Sequence, residues 1–107
     1  MADLNHPDFF DCASNIEVAI AAIEAVAVQL DSDVVLSLKH SAEGLRPHVD
    51  AAMGDETGNA KNDAWVRIGC LVELIEEVNG SIDQQLLYGA VVLLRLAKEQ
   101  LMAPEPA

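Results

Sequence analysis

Apolar residues recur at three- and four-residue spacing through most of this chain, a pattern typical of amphipathic α-helices. Strict alternation of apolar and polar residues, which would indicate half-buried strands, is absent from the sequence. The first predicted helix runs to about Leu30, and its apolar residues occupy more than one face. The pattern therefore predicts an all-α fold.

A capping box, Ser14-x-x-Glu17, predicts where the first helix begins. Residues 1–10 precede it as an N-terminal arm that ends in the pair Phe9 and Phe10. The two rings can fold back over the core or contact a partner, and the sequence leaves both readings open.

The second predicted helix carries an apolar residue at every third or fourth position. These residues are Val35, Leu38, Ala42, Leu45, Val49 and Ala52. Ser32 and its neighbouring aspartates can cap its N-terminus. Pro47 lies inside the apolar pattern, lacks an amide hydrogen and clashes with the carbonyl of Glu43. Because the apolar spacing continues beyond Pro47, we expect one kinked helix rather than two unrelated helices.

A polar, glycine-containing loop over residues 54–63 separates the second helix from the third. The third helix is predicted to end at Asn79-Gly80, since these residues favour a left-handed C-terminal cap. A second capping pattern, Ser81-x-x-Gln84, follows at once and indicates a tight helical hairpin.

The fourth helix is predicted over residues 83–102 and is followed by a proline-containing tail, residues 103–107, which we expect to be disordered. Residues 11–102 thus form one helical domain. The predicted fold is a small four-helix antiparallel bundle built from helical hairpins.

The composition adds an argument for self-association. Apolar residues make up 51% of the 107 residues and aromatic residues only 4%, which predicts an aliphatic core. The first and fourth helices are apolar nearly all round, although each helix of so small a bundle has a solvent side. We therefore expect a homodimer, or a protein partner, to cover the surplus apolar surface.

The charge narrows the possible partners. A formal net charge of −12 argues against binding to nucleic acids and to anionic membranes. Seven carboxylates and no Lys or Arg occur in the first 38 residues, and three of them (Glu17, Glu24 and Asp31) are spaced seven apart. The near-apolar run 86–94 is too short to span a bilayer, and no secretory signal is recognised, so we expect a cytoplasmic protein.

The sequence offers little chemistry. The histidines are His6, His40 and His48, and no Glu-x-x-His pair accompanies them. Cys12 and Cys70 form no metal or redox motif and are expected in the core. Glu73 and Glu77 are expected to form a solvated face. We therefore predict no catalytic residue, no metal site and no cofactor, and a protein that is not an enzyme.

Four further residues are interpreted as packing residues. Trp65 and Tyr88 are expected to pack in the core. Gly69 and Gly89 lie inside helical patterns, where close approach of a neighbouring backbone is the ordinary reason for a glycine. The candidate partner-binding residues are instead placed on the arm and on the first helix: Phe9, Phe10, Val18, Ala22, Ala25 and Gln29.

The aliphatic segment Ile16–Ile23 and the hairpin sequence Val78–Ile82 resemble those of the QslA-like quorum-sensing antiactivators of pseudomonads. The resemblance implies a dimeric all-α protein that binds a LuxR-type transcription activator. It also implies inhibition by covering the activator's own dimerisation surface. The residue spacing itself does not identify this target.

Other functions remain open from the residues alone. The carboxylates could imitate nucleic-acid phosphates, or the chain could be an immunity-type inhibitor. A purely structural helical homodimer is a further alternative. Mimicry would require the acids to form one exposed surface, and it would leave the apolar excess unexplained.

Overall fold

A computed structural model of the chain describes residues 9–55 and 57–102. Within these residues the chain forms five α-helices: α1 (Phe9–Leu30), α2 (Asp33–Glu43), α3 (Arg46–Met53), α4 (Asn59–Ile82) and α5 (Gln85–Leu101). The prediction of an all-α fold is confirmed. Residues 1–8 of the predicted arm and the predicted tail, residues 103–107, lie outside the described part.

The first helix begins earlier than predicted. The backbone of Phe9 and Phe10 already belongs to α1, so the boundary at residue 10 and the capping box are both wrong. Ser14 and Glu17 lie inside the helix, where the backbone amides bond to preceding carbonyls and need no side-chain cap. The Glu17 carboxylate binds Arg46 instead.

A tight turn joins α1 to α2. Asp31 adopts a left-handed backbone conformation with φ of 48°, which aspartate tolerates better than most residues. Ser32 caps α2, since its hydroxyl accepts a 3.2 Å hydrogen bond from the amide of Val35. The predicted capping role of Ser32 is confirmed.

The predicted second helix is present as two segments, α2 and α3, with a kink between them. Gly44 and Leu45 keep right-handed dihedral angles across the junction. The amide of Gly44 bonds to the carbonyl of His40, four residues back, whereas the amide of Leu45 bonds to Ala42, three residues back. This tighter turn accommodates Pro47 at the start of α3, and the kink prediction is confirmed.

The loop before α4 is organised around Asp55. Its carboxylate accepts hydrogen bonds from the Thr57 amide at 3.0 Å and from the Ala60 amide at 2.5 Å. The Thr57 hydroxyl and these amides hold the pKa of Asp55 below its usual value. Because Asp55 binds the first turn, α4 begins at Asn59, inside the segment predicted as a loop.

The α4–α5 hairpin differs from its prediction. Helix α4 continues past Asn79 to Ile82, and Asp83 takes the left-handed position with φ of 50°. Asn79 is buried, and its side chain both accepts from the Gln84 amide at 2.7 Å and donates to the Gln84 carbonyl at 3.1 Å. The predicted Ser81 cap is wrong, because Ser81 belongs to the last turn of α4.

The core is aliphatic, and α1 packs along both α2 and α5. Its largest fully buried side chains include Ile16, Ile23, Leu87 and Leu94. Trp65 and Tyr88 do not belong to it, since they are 39% and 49% exposed. The prediction that they pack in the core is wrong.

Polar contacts show the direction of neighbouring helices. Glu17, the earlier residue of α1, contacts Arg46 of α3, whereas Glu24, further along α1, contacts Lys39 of α2. Because the later residue of α1 meets the earlier residue of the following segments, α1 runs in the opposite direction to α2 and α3. Asn15 near the start of α1 donates a 2.8 Å hydrogen bond to Gln100 near the end of α5. The described residues form an elongated bundle of 47 × 24 × 18 Å.

Within residues 9–55 and 57–102, one helix is long and apolar enough to cross a membrane when judged by length and composition alone: Asp11–Leu30 of α1, with a mean hydropathy of 1.4. The prediction from residues 86–94 did not take this stretch into account. The core helix of a soluble protein and a signal sequence both pass the same test, and 33% of this stretch is buried. Here Ile16 and Ile23 are buried against the rest of the bundle.

Candidate protein-interaction surface

The outer side of α1 carries most of the predicted partner-binding residues. Val18 is 52% exposed, and Ala25 and Gln29 are also exposed. Ala22 is half-buried because it packs against the core. The side chains of Phe9 and Phe10 lie outside the described part, so their predicted role stays a prediction.

The outer side of α5 is a second apolar surface that the sequence-based site did not include. Gly89, Val92 and Leu96 are spaced by three and four residues, which places them on one helical face. Val92 is 62% exposed and Leu96 is 41% exposed. The signal was present in the sequence, but Leu87 and Leu94 mark an equally apolar face, and only the fold shows which one is buried.

These two surfaces adjoin. The Asn15–Gln100 hydrogen bond fixes the register of α1 against α5. Residues seven positions apart lie on the same side of a helix, two turns from each other. Moving seven residues forward on α1 and seven back on α5 from this bond places Ala22 level with Leu93, and the next such step places Gln29 level with Leu86. Together they form one surface, here called the α1–α5 face, which consists of Val18, Ala21, Ala22, Ala25 and Gln29 of α1 and Leu86, Gly89, Val92, Leu93 and Leu96 of α5. None of these ten residues is charged, but the exposed residues Asp11 and Glu99 lie seven residues beyond Val18 and Val92, at one end of the face.

The acidic line of α1 lies beside this face rather than on it. Glu17 accepts two hydrogen bonds of 2.6 Å from the guanidinium of Arg46. Those bonds, together with the positive charge, hold the pKa of Glu17 below its ordinary value. Glu24 lies 3.5 Å from Lys39. Two of the three acidic residues spaced seven apart, Glu17 and Glu24, therefore bind cations of the chain itself, on the side of α1 towards α2 and α3.

On the opposite flank, Lys98 crosses from α5 to α4. Its ammonium group lies 3.9 Å from the centre of the Trp65 ring, a cation–π contact. A Cβ on Gly69 would come within 2.9 Å of the same Lys98 nitrogen. The neighbour of Gly69 is thus the end of a lysine side chain, not the neighbouring backbone that was expected as its packing reason.

Gly89 has no such reason within the described residues. A Cβ added there would meet nothing within 4 Å. A glycine inside an exposed helix costs about 1 kcal/mol relative to alanine. Gly89 therefore leaves the outer surface of α5 open at this position.

The two halves of the α1–α5 face differ in relief. The α1 half contains three alanines and is here called the alanine channel, whereas the α5 half contains Val92 and three leucines and is here called the Val and Leu ridge. Helices pack when the side chains of one fill the grooves of the other. The face therefore combines a half of small residues with a half of larger residues, which could pack against each other between two molecules.

The remaining polar groups form surface contacts. His40 lies 3.2 Å from Glu43, and His48 lies 3.2 Å from Asp63. Among the residues that the structure describes, no group of three or more His, Cys, Asp or Glu side chains could hold a metal ion. Cys12 is buried as expected, but Cys70 is exposed, so its predicted place in the core is wrong.

Comparison of the chain with protein-family models, with curated proteins and with solved structures returned no match.

Proposed function

We propose that this protein is a non-enzymatic, protein-binding regulator whose α1–α5 face takes up a helical protein surface. The observation that carries the proposal is the uncharged, partly exposed apolar surface shared by two adjacent helices of a chain with net charge −12. Exposed apolar patches of this kind mark interaction sites in soluble proteins.

A second copy of the chain is the first occupant that the shape supports. A two-fold axis parallel to the helices, and between α1 and α5, would set the alanine channel of each copy against the Val and Leu ridge of the other. Gly89 would then face the α1 helix of the second copy. Such an isologous contact buries the same apolar surface twice.

The size of the face supports this dimer. Helix α5 spans ~25 Å at 1.5 Å per residue, and two packed helices present a width of about 20 Å. The planar area is therefore on the order of 500 Å², before the relief of the side chains is counted. Stable interfaces bury roughly 800 Å² of accessible surface per partner, so the face approaches this size.

The regulatory part of the proposal concerns a cytoplasmic partner. An activator that dimerises through an apolar helical surface, such as the LuxR-type regulator that the resemblance implies, presents the kind of surface that this face would cover. The acidic surroundings would favour a basic rim on that partner and accelerate encounter at low salt. Inhibition would follow because the activator's dimerisation surface is occupied.

The ion pairs argue against the nucleic-acid mimic as the leading alternative. Three carboxylates that mimicry would need free are bound within the chain: Glu17 to Arg46, Glu24 to Lys39 and Glu76 to Arg95. A partner that stays bound at ~1 M salt, where the screening length is about 3 Å, would support apolar contact over phosphate mimicry.

Light scattering with point variants tests the proposed face. We expect the wild-type protein to be a dimer at micromolar concentration, and Val18→Asp or Val92→Asp to make it monomeric with unchanged helix content. Leu74→Asp is the matched control, because Leu74 is 49% exposed on α4, outside the face. A wild-type monomer, or a Val92→Asp variant that remains dimeric, would contradict the dimer.

A further inference from the structure

One end of the bundle carries negative charge without a cation of its own. Helix α1 ends and α2 begins there, and the turn between α4 and α5 lies at the same end because α5 runs antiparallel to α1. The segments that meet there, residues 25–38 and 68–94, contain no Lys, Arg or His. Their two turns carry Asp31, Asp33 and Asp83, and this end is here called the acidic pole.

A small pocket opens at the acidic pole between the end of α1 and the start of α2. It has a volume of about 270 Å³ and is lined by Ala27, Val28, Asp31, Ser32, Asp33 and Leu36. This volume lies just below the range of about 300–1,000 Å³ typical of small-molecule sites, so the pocket suits a single long side chain. Its charged lining residues are both acidic, and three of the others are apolar.

The two carboxylates of the pocket are available to a ligand. Asp31 and Asp33 are exposed, and neither forms an ion pair with another described residue. Asp33 lies in the first turn of α2, where its charge offsets the positive end of that helix. Helix α1 has no basic residue in its last turn, so its negative end adds to the charge of Asp31. Lys39, further along α2, is already engaged, 3.5 Å from Glu24.

The apolar part of the pocket is exposed as well. Val28 is 75% exposed, the highest value among the large apolar side chains that the structure describes, and Leu36 is 39% exposed. Ala27 is buried beneath them. Contact with the hydrocarbon part of a ligand would remove this surface from water. The pocket thus presents carboxylates and apolar surface to the same occupant.

We propose that this pocket binds an arginine of a protein partner, together with an apolar residue next to it in the partner's sequence. The inference rests on the proposed protein-binding function and assigns that function a specific basic contact. The methylene stem of the arginine packs along Val28 and Leu36 while its charged head remains at the polar edge. A planar guanidinium group has five N–H donors and can bind both Asp31 and Asp33.

Arginine fits this site better than other cations do. The guanidinium group is more weakly hydrated than the ammonium group of lysine, so it loses less on contact with apolar surface. A bare metal ion would leave that surface in water, and the described residues include no group of three or more His, Cys, Asp or Glu that could hold one. Nucleic acids and anionic lipids are repelled by the carboxylates.

A titration with capped peptides, followed by nuclear magnetic resonance, tests the pocket. The peptide Gly-Leu-Arg-Leu-Gly carries a single charge, and the amide shifts of the isotope-labelled protein report both its position and its affinity. We expect the shifts to cluster within residues 27–36. The same peptide with lysine should bind at least threefold more weakly, and the peptide with neutral citrulline at least tenfold more weakly.

A double variant tests the two carboxylates. Asp31→Asn combined with Asp33→Asn should weaken binding of the arginine peptide at least tenfold. Asparagine tolerates the left-handed backbone conformation of residue 31, so the turn is retained. Glu73→Gln combined with Glu77→Gln is the matched control, because it removes the same charge from exposed positions of α4 outside the pocket. The control should change the affinity less than twofold.

Val28→Ser tests the apolar part. We expect at least a threefold loss of affinity, since the variant removes the side chain that covers the arginine stem. Val66→Ser is the matched control, because Val66 is 47% exposed on α4 and does not line the pocket. Circular dichroism checks that each variant keeps its helix content.

The outcomes separate this pocket from the α1–α5 face. Val92→Asp, the variant expected to be monomeric, should bind the arginine peptide as the wild type does. A dimer that binds no peptide at residues 27–36 would refute the arginine pocket and leave the α1–α5 face standing. Equal affinity for the arginine and lysine peptides, or equal losses in the aspartate pair and the glutamate pair, would also overturn the inference.

Discussion

Arg46 donates two hydrogen bonds of 2.6 Å to the carboxylate of Glu17, and thereby ties the first residue of α3 to the middle of α1. The two residues are 29 positions apart. Planar guanidinium groups bind carboxylates in this two-bond geometry with more directional specificity than lysine can provide. The contact leaves the Glu17 carboxylate bound within the chain, on the side of α1 towards α3.

This ion pair predicts a defined dependence of stability on pH. The folded-state pKa of Glu17 lies below its ordinary value of 4.5, so the unfolded chain takes up the proton first on acidification. The contribution is fully present above about pH 4.5 and is lost as the pH falls through the lower, folded-state pKa. We expect Glu17→Gln to lose less stability than the wild type over this acidic range in urea denaturation.

Glu73→Gln is the matched control for this experiment. Glu73 is also a helical, exposed glutamate, but it forms no ion pair with the described residues. Its substitution should leave the acid dependence close to that of the wild type. Identical pH profiles for Glu17→Gln and Glu73→Gln would show that the Arg46 contact contributes nothing to stability in solution.

Asn79 is predicted to be a stability residue of the α4–α5 hairpin. Its buried side chain satisfies both the amide and the carbonyl of Gln84. Asn79→Ala leaves both groups without these partners, and we expect a loss of about 1–3 kcal/mol in the free energy of unfolding. Chemical denaturation measures this loss. A change below ~0.5 kcal/mol, typical of surface substitutions, would contradict the assigned role.

Gly89, on the α1–α5 face, and Gly80, outside it, are a matched pair of positions for testing this face by substitution. Both lie inside helices, and a Cβ at either position meets nothing within 4 Å. Alanine at either position should stabilise the monomer by up to about 1 kcal/mol, since glycine has the lower helix propensity. Thermal unfolding at low protein concentration measures this gain.

A larger side chain should separate the two glycines. Gly89→Leu should weaken self-association by at least tenfold, because the proposed dimer brings a second helix close to this position. Gly80→Leu, outside the face, should leave the dimerisation constant unchanged. Sedimentation equilibrium gives both constants, and an equal effect of the two substitutions would argue against the proposed dimer interface.

The sequence predicted the fold correctly where a local pattern of residues decides the structure. The 3-4 spacing predicted the helices, Ser32 marked one N-terminus, and Pro47 marked the kink. Several predictions failed where a polar side chain found a partner outside its own local pattern. Glu17 looked like a cap but binds Arg46, 29 residues away, and Asn79 looked like a helix end but binds Gln84 at the start of the next helix. Trp65, Tyr88 and Cys70 were expected in the core but are exposed. Such choices depend on which residues the fold brings together.

The sequence by itself determined that the chain is helical, aliphatic and more apolar than one small bundle can bury, because these properties follow from composition and periodicity. Only the tertiary structure decided which surface remains exposed. The apolar residues of α1 and α5 occur on several faces, so either side of each helix could have entered the core. Packing buried one side, ion pairs closed the flank of α1 towards α2 and α3, and the uncharged side was left exposed.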